Sequence, residues 1–346
     1  MNAQAPATAI GRSAHRLASP LHSTDLLLIA FWGLLSLVSL LLHSRITFWR
    51  EIIAANLAAA VLVWVLAWAS RITESRVLRW VHDWAAFPLV IFTFEQLYYL
   101  IGPIHQGKDY DGLLIALDRQ LFRVDPTVWL ARFAHPLLTE ALQIAYSLFY
   151  VLFLAVGFEF YRNADPSRFR YFRFTIVYGF LLSYAGYFLL PAVGPRFTLH
   201  DFSKIDGELP GLLLTPALRW FINAFESIPS GVSSAVAMAG AQRDVFPSGH
   251  TMMTIVALMF ACRHRLKVRR CLLVLGTMLI LATVYLRYHY VIDIMAGALL
   301  ALPCLLSAGR VYSLLQDAGS AAGYRFAERS QPQRGEQQSP GRRPRE

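Results

Sequence analysis

The sequence has few charged residues and few cysteines, and both shortages exclude classes of protein. Only 16% of the 346 residues are charged, against about 25% in soluble domains, while 56% are hydrophobic and the mean hydropathy is +0.43. An ordinary soluble globular protein is therefore excluded. The three cysteines, Cys262, Cys271 and Cys304, form no CxxC pair. Neither a disulfide framework nor a thiolate metal site is predicted.

Long apolar stretches are what the chain has instead. A membrane-spanning helix needs about 20 mostly apolar residues, and we assign eight such stretches, the sixth of them short: 26–42, 52–70, 85–104, 139–160, 172–193, 248–262, 271–287 and 290–309. The pattern predicts an all-α, polytopic membrane helix bundle of about eight transmembrane helices. An even number of spans places both termini on one side. The first stretch is too long for the apolar part of a signal peptide, so we expect it to be retained.

The lysine and arginine residues are distributed unequally between the two predicted sides of the membrane. Lys and Arg number 32 against 22 Asp and Glu, a net charge of +10 that in a soluble protein would favour a nucleic-acid partner. With the N-terminus inside, 21 of the 32 fall in inner segments, and the densest inner loop, CRHRLKVRRC, has no acidic residue. This bias argues against nucleic acid. It predicts a multi-pass protein, typical of a plasma (bacterial inner) membrane, with cytoplasmic termini.

Two long segments fall on the predicted outer side. Residues 105–138 contain DYDGLLIALDRQLF, in which leucines occupy one helical face and Asp111 and Asp118 another. This pattern is typical of a helix lying in the membrane interface. Residues 194–247 are punctuated by Gly and Pro and are too long for a simple connection. Long loops of this kind are often functional.

Three short polar segments share the predicted outer side: Gly194-Pro195-Arg196, Pro247-Ser248-Gly249-His250, and Arg287-Tyr288-His289 with Asp293. Ionisable groups close to the membrane interior are costly and by default mark function. Backbone N–H groups at a helix start, together with two guanidinium groups, can bind a tetrahedral anion such as phosphate. The sequence therefore predicts an anion site at one end of the bundle.

The two histidines and the aspartate fit phosphoryl transfer. One neutral imidazole can attack phosphorus, and a second, protonated, can protonate the leaving oxygen. Asp293 lies one helical turn after His289, so its carboxylate can accept the far ring N–H and fix the reactive tautomer. Arginine and the helix N-terminus neutralise the phosphate charge, so we expect neither a metal nor another cofactor.

At these residues the sequence resembles a known family. FPSGHT is similar to the second signature of the type 2 phosphatidic acid phosphatase superfamily, and HYVIDIMAG is similar to the His-x3-Asp end of its third. The resemblance implies a six-helix catalytic core in residues 85–309. Before that core we place a polar inner N-terminus, 1–24, and two additional spans, 25–84; after it comes a basic, disordered inner tail, 310–346.

The resemblance also implies a role for each matching residue. His289 is the implied nucleophile, which forms a phosphohistidine, and His250 is the acid that protonates the leaving group. Asp293 is the implied orienting group. The implied phosphate cradle consists of Arg196, Ser248 and Gly249.

The sequence departs from the usual pattern in two places. The first signature, Lys-x6-Arg-Pro, is absent because no lysine precedes Arg196, and the usual Ser-Arg of the third falls at Thr283. Arg287, four residues later on the same helical face, is a candidate to reach the same phosphate. The run TVYLRYHYVIDIMAG is more similar to the inositol phosphorylceramide synthase branch, whereas the Gly of FPSGH is common in the phosphatase branch.

The sequence thus predicts an integral membrane lipid-phosphate phosphatase or phosphotransferase with its site at the outer face. Its substrate is a lipid phosphate in the bilayer, and the acceptor is water or a hydroxyl group; we prefer water narrowly, because no feature excludes it. A head-group phosphotransferase between lipids stays open. So does a transporter or binding protein that holds an anionic lipid without chemistry. The oligomeric state is not predicted.

Four other residues receive ordinary interpretations. Glu95, within the third predicted span, either lines the pocket or makes a hydrogen bond in the core. Tyr285, Tyr288 and Tyr290 flank the third polar segment, and we interpret them as aromatic anchors at the membrane interface.

Overall fold

The computed structural model describes residues 21–73, 75–163, 165–226, 228–229 and 231–329, with side chains through residue 316. Within these residues the chain is helical and contains no strand. Most of the predicted polar N-terminus, 1–24, lies outside the described residues. So does the last part of the predicted basic tail, 310–346.

The described residues form fifteen α-helices, with short 3₁₀ turns at Ala131–Phe133 and Phe202–Lys204. In chain order they are α1 (Ser23–Leu41), α2 (Trp49–Ile72), α3 (Arg76–His105), α4 (Asp111–Phe122), α5 (Pro126–Leu130), α6 (Pro136–Ser147), α7 (Phe149–Arg162), α8 (Pro166–Tyr187), α9 (Pro195–Thr198), α10 (Ile205–Glu208), α11 (Thr215–Phe225), α12 (Ser234–Gly240), α13 (Gly249–Arg263), α14 (Arg269–Tyr285) and α15 (Val291–Arg329).

The predicted all-α membrane bundle is confirmed. In the described part of the chain, four helices are long and apolar enough to cross a membrane: α1, α2, α3 and α15. Helices α6 and α7 form a further span if they are counted as one helix bent by 51°. The other three predicted spans are also helices, α8, α13 and α14. Because α13 has 15 residues, α14 has 17 and α8 begins with several arginines, these three do not meet the same criterion. The count of eight stays a prediction.

Helix α13 occupies the centre of the bundle. It packs against α7, α8, α14 and α15. Met252, Met253, Val256 and Ala257 are fully buried, and apolar side chains occur on every face of the helix. A helix that is apolar all round belongs in the interior. The N-terminus of this central helix is the position of the FPSGH segment.

A buried polar cluster joins the first helix to the rest of the bundle. His82 Nε2 of α3 lies 3.0 Å from Asp25 Oδ2 of α1. The Arg173 guanidinium of α8 donates to Asp83 Oδ1 over 3.0 Å and lies 3.1 Å from His22 Nδ1, just before α1. Buried charges require such partners. The first helix, α1, is therefore fixed to α3 and α8 by specific contacts.

Helix α4 turns its acidic side chains toward the protein. Asp111 and Asp118 are buried, whereas Leu113 and Leu121 are about half exposed. The Asp118 carboxylate accepts the backbone N–H groups of residues 291 and 292, at 3.0 and 2.9 Å, and so caps the start of α15. We call the end of the bundle that holds α4, α9 to α12 and the starts of α13 and α15 the site end. The exposed leucines fit the predicted interfacial position of α4.

A carboxylate from α6 holds the long loop of the site end. Glu140 accepts the backbone N–H groups of residues 212, 213, 214 and 215, at 2.6 to 3.3 Å, and the Thr215 hydroxyl at 2.6 Å. These donors form the start of α11, whose N-terminal N–H groups have no partner within the helix. Trp220 and Phe221 of α11 remain exposed. Glu140 thus positions an apolar surface beside the site.

Replacing Glu140 with Ala should loosen this loop. Because the backbone donors of 212–215 lose their shared acceptor, we expect their amide hydrogens to exchange at least ~10-fold faster, consistent with the roughly 1–3 kcal/mol that an unpaired buried polar group costs. Hydrogen–deuterium exchange in lipid nanodiscs measures the effect.

The matched control is Glu159→Ala, which removes a similar cap on the backbone N–H groups of residues 267 and 268. This variant should accelerate exchange only around those two residues. Unchanged exchange at 212–215 in Glu140→Ala would show that the carboxylate does not hold the loop.

Candidate active site

The structure brings the three polar segments together at the site end. The Arg196 backbone N–H donates to the Arg287 carbonyl over 3.0 Å, and the Ser248 N–H donates to the Asp293 carbonyl over 3.0 Å. His289 Nε2 lies 3.3 Å from His250 Nδ1. Residues as far apart in the sequence as Arg196 and Asp293, 97 positions, therefore share one site.

The start of α13 is packed tightly between two other helices. A side-chain carbon at Gly249 would lie far inside contact distance of Tyr187 Oη and 2.9 Å from Ser183 Oγ, both on α8. A carbon at Gly297 of α15 would collide with the Ser248 carbonyl. Glycine at both positions allows the backbones to approach this closely. The packing sets where the first turn of α13 points.

Ser248 acts mainly as the cap of α13. Its Oγ accepts the Thr251 N–H over 3.2 Å and lies 3.1 Å from Thr251 Oγ1, and its own N–H is bound to Asp293. Among the described residues, no acceptor binds the backbone N–H groups of Gly249 and His250. These two groups, rather than the Ser248 N–H, are the donors that remain for an anion.

The hydrogen bonds of His289 define its tautomer. Nδ1 lies 3.0 Å from the Val245 carbonyl, so in the neutral ring Nδ1 carries the hydrogen and Nε2 presents a lone pair toward His250. Asp293 Oδ2 lies farther from Nδ1, at 3.6 Å, and accepts the Tyr290 N–H over 2.9 Å. The Val245 carbonyl is therefore the direct hydrogen-bond partner of the ring, and the Asp293 carboxylate is a more distant neighbour of the same nitrogen.

Burial keeps the His289 imidazole neutral. The residue lies in the loop between α14 and α15 and is 3% exposed. Desolvation lowers the pKa of His289 from 6.5 to about 4, although the Asp244 carboxylate and the Val245 carbonyl partly oppose the shift. A neutral imidazole at physiological pH is the form that a nucleophile requires.

Aromatic rings fix the position of His250. Its ring stacks on Tyr146, with centroids 4.7 Å apart, and Phe149 lies against it at 4.3 Å. Tyr146 stacks in turn on Tyr288 at 4.3 Å, and the Arg196 Cζ lies 4.8 Å from the Tyr288 ring. We call Arg196, Tyr288, Tyr146 and His250 the ring column. It links the candidate acid to a candidate phosphate ligand.

The three tyrosines of the third segment are buried, so our interpretation of them as interface anchors is wrong. Tyr285, Tyr288 and Tyr290 are 5%, 7% and 1% exposed. Tyr285 Oη lies 2.9 Å from Thr139 Oγ1, and Tyr290 Oη donates to Asp111 Oδ1 over 2.7 Å. The hydroxyl groups of Tyr285 and Tyr290 have protein partners in the interior, and the Tyr288 ring is stacked on Tyr146, so none of the three needs a membrane interface.

Both candidate arginines are buried and paired with carboxylates. Arg196 is 6% exposed and pairs with Glu226, which follows α11; Arg287 is 1% exposed and pairs with Glu208 of α10. The Nε atoms of both have no partner among the described residues. Arg196 joins the ring column, whereas no hydrogen bond or ion pair in the described chain links Arg287 to His250 or to His289. The geometry therefore favours Arg196 as the phosphate ligand.

Thr283 supports the third segment through its backbone. Its carbonyl accepts the N–H groups of both Tyr288 and His289, each over 2.9 Å. Its hydroxyl donates to the Ile280 carbonyl over 2.7 Å. The residue at the usual Ser-Arg position thus shapes the loop that carries His289.

Two cavities border the site. One, of about 260 Å³, has His250, Gly249, Glu226 and Asp244 in its wall. The other, of about 480 Å³, lies beyond Arg196 and Tyr288 and has polar residues of the long loop in its wall. Glu226 and Asp244 belong to no sequence motif, and only the fold of the long loop brings them close to the histidines.

The one group of three possible metal ligands among the described residues is remote from this site. His22, Asp25 and His82 place their ligand atoms within 4.8 Å of one another. This is the cluster that fixes α1 to α3 and α8, and the Arg173 guanidinium already contacts His22. A guanidinium cation in that position disfavours a second cation.

One of the comparisons with known proteins identifies a family. The family model described as PAP2 superfamily matches residues 112–306, from α4 into α15, which is more than half of the chain and includes every predicted site residue. No curated protein and no solved structure matches the chain. The match does not confirm the finer similarity to inositol phosphorylceramide synthases. The chain belongs to the PAP2 superfamily, whose members are phosphoesterases, and this supports a function of the phosphatase or phosphotransferase type.

Proposed function

We propose that this protein cleaves or transfers the phosphoester of a membrane lipid through a phosphohistidine on His289, at the outer face of the membrane. The observation that carries the proposal is the histidine pair. His289 Nε2 lies 3.3 Å from His250 Nδ1 while His289 Nδ1 is held by the Val245 carbonyl. One imidazole is thus prepared to attack, and the second is adjacent to the reacting atoms.

The pair supports a two-step reaction without a metal. In the first step, the Nε2 lone pair of His289 attacks phosphorus, the bond from phosphorus to the leaving oxygen breaks, and protonated His250 gives that oxygen its proton. In the second step, neutral His250 takes a proton from water or an alcohol, whose oxygen attacks phosphorus and displaces His289. The Val245 carbonyl and Asp293 stabilise the ring N–H while the imidazole carries the phosphoryl group.

Arg196 and the first turn of α13 supply the phosphate cradle. The Arg196 guanidinium provides positive charge, and the N–H groups of Gly249 and His250 provide two unengaged donors at a helix N-terminus. Fixed donors of this kind stabilise the charge that develops on the transferred phosphoryl group.

The surroundings of the site support an amphiphilic substrate. An apolar groove of about 510 Å³ between α3 and α7 shares Ile91, Tyr150 and Phe180 with the cavity beside His250. A lipid can keep its tail in such a groove while its phosphate reaches the histidines. This continuity favours a lipid phosphate over a soluble one.

A head-group phosphotransferase is the second candidate function. The 480 Å³ cavity beyond Arg196 has Ser203, Asp206 and Asn223 in its wall, and these side chains can bind a hydroxyl acceptor. Water would be the acceptor in a phosphatase. Supplying lipid phosphate with and without an alcohol distinguishes the two, because transfer yields a new phosphoester in place of free phosphate.

His289→Ala should abolish phosphoryl transfer. Because the variant lacks the attacking nitrogen, we expect turnover of a lipid phosphate to fall by at least ~1,000-fold, with no acid-labile phosphohistidine. Purified protein and a lipid labelled with ³²P at the phosphate provide both measurements.

The control for this experiment is His43→Ala, which removes an exposed histidine after α1 and should retain full turnover. A labelled phosphohistidine in His289→Ala, or turnover equal to that of the wild type, would exclude His289 as the nucleophile. A non-catalytic lipid-binding protein would show no turnover in any variant.

Substitution of the two buried arginines, Arg196 and Arg287, should lower kcat/KM to different extents. Lysine at position 196 keeps the charge but loses the planar group that stacks on Tyr288, so we expect Arg196→Lys to lower kcat/KM by at least ~10-fold. Arg287→Lys should have the smaller effect, because Arg287 is directed to Glu208. Steady-state kinetics on one lipid phosphate compares them, and the reverse order would assign the phosphate to Arg287.

The ligand-free protein should show an unusually acidic titration of His289. Since burial lowers the pKa of this ring, it takes up its proton only as the pH falls to about 4 and stays neutral above that value. Nitrogen-15 NMR of histidine-labelled protein, with His289→Asn to assign the signal, measures the midpoint. A midpoint near 6.5 would mean that the ring is hydrated and that its neutral form is not enforced by burial.

A further inference from the structure

The cavity beside His250 has an excess of negative charge. Glu226 and Asp244 lie in its wall, and Glu95 of α3 is close enough to Glu226 to interact with it electrostatically. Arg196 neutralises one of these carboxylates, Glu226. In the described chain, the Asp244 side chain has no ion pair and no hydrogen-bond partner from another residue. Carboxylates that are not fully neutralised in the wall of a cavity attract a cation.

The walls of the same cavity are mostly aromatic. Phe and Tyr side chains from α3, α6, α7, α8 and α11 form most of its surface. Phe94 stacks on Phe225 at 6.4 Å, and Tyr150 stacks on Phe180 at 6.4 Å. The faces of such rings attract cations, most of all cations with an apolar surface. Charge and wall composition therefore point to the same kind of ligand.

We propose that this cavity binds a quaternary ammonium head group that is attached to the reacting phosphate. The inference rests on the proposed function and specifies its substrate as a choline-type phospholipid. Asp244 and the aromatic walls hold the ammonium group, while Arg196 and the start of α13 hold the phosphate. The positive ammonium of the zwitterionic head group thus faces a carboxylate of the protein, and its negative phosphate faces a guanidinium.

The geometry favours an organic cation over a metal ion. Among the described residues, Glu226, Asp244 and His250 do not bring three metal-type ligand atoms within 4.8 Å of one another. A metal ion needs such close ligands at about 2.0–2.6 Å from itself. A trimethylammonium group is larger and makes no coordinate bonds, so separated carboxylates and ring faces suit it.

The dimensions and electrostatics of the cavity agree with this assignment. Its volume of about 260 Å³ is just below the roughly 300–1,000 Å³ of sites for drug-sized ligands, which suits a small head group. Burial and the neighbouring Glu226 raise the pKa of Asp244, as expected of a carboxylate that lacks a cation. A primary ammonium would need three hydrogen-bond acceptors, and the largely apolar wall offers few.

The first test compares head groups on otherwise identical lipids. Full-length protein in nanodiscs receives phosphatidyl lipids with choline, ethanolamine or glycerol, and kcat/KM is measured. We expect the choline ester to exceed the glycerol ester by at least ~10-fold, as the 0.5–2 kcal/mol of cation–π attraction and the carboxylate imply. Asp244→Asn should remove most of this preference, measured as the ratio of kcat/KM for the choline ester to kcat/KM for the glycerol ester.

Two variants serve as references. Glu95→Gln should reduce the choline preference less than Asp244→Asn does, because Glu95 stands behind Glu226. Glu51→Gln removes an exposed carboxylate at the start of α2 and should leave the preference unchanged. Equal kcat/KM for all three head groups, or an equal loss for all three in Asp244→Asn, would overturn the inference.

A binding measurement separates this inference from the proposed function. Isothermal titration with phosphocholine and with glycerol phosphate should show tighter binding of phosphocholine by at least ~10-fold in the wild type, and equal binding in Asp244→Asn. This result does not depend on turnover. Turnover of the glycerol ester that requires His289, with no phosphocholine preference, would refute the choline site alone; phosphocholine selectivity without His289-dependent turnover would refute the proposed reaction alone.

Discussion

The close packing of the α13 N-terminus against α8 and α15 is the constraint on which the site depends. Gly249 and Gly297 leave no space for side chains, and the Ser248 N–H binds the Asp293 carbonyl. This contact sets the direction of the first turn of α13 and the position of the start of α15 relative to that turn. Since His250 lies on that turn and His289 lies two residues before the start of α15, their 3.3 Å approach follows from backbone packing.

The charges of the site are arranged around the pair of imidazoles, of which His289 is held neutral by burial. Both buried arginines are compensated by acidic residues of the long loop, Glu226 and Glu208, which reduces the cost of removing guanidinium groups from water. The ring column connects Arg196 to His250 through Tyr288 and Tyr146. A phosphate that enters meets positive charge on one side and a neutral nucleophile on the other, which is the distribution that phosphoryl transfer requires.

How far the sequence predicts this site depends on what holds each residue. His250, His289 and Asp293 belong to short motifs at helix ends, and hydropathy alone predicts that these ends lie together. The Val245 carbonyl, the direct partner of His289, is a backbone group and leaves no trace in residue type. Glu140 contacts residues 72 to 75 positions away, Glu226 contacts Arg196 30 positions away, and Asp244 lies in the wall of the same cavity as Glu226. Their roles therefore depend on a fold of the long loop that no local pattern encodes. The tyrosines of the third segment were misinterpreted because a buried hydroxyl group and an interfacial one have the same sequence signature.

The most direct test of the mechanism is a structure of the full-length protein in nanodiscs with orthovanadate, which mimics the five-coordinate phosphorus of the transition state. The mechanism predicts vanadium bonded to Nε2 of His289, with His250 beside the oxygen on the opposite side and the Arg196 guanidinium on an equatorial oxygen. Vanadium bonded to His250, or bound away from both histidines, would contradict the assignment of His289 as the nucleophile.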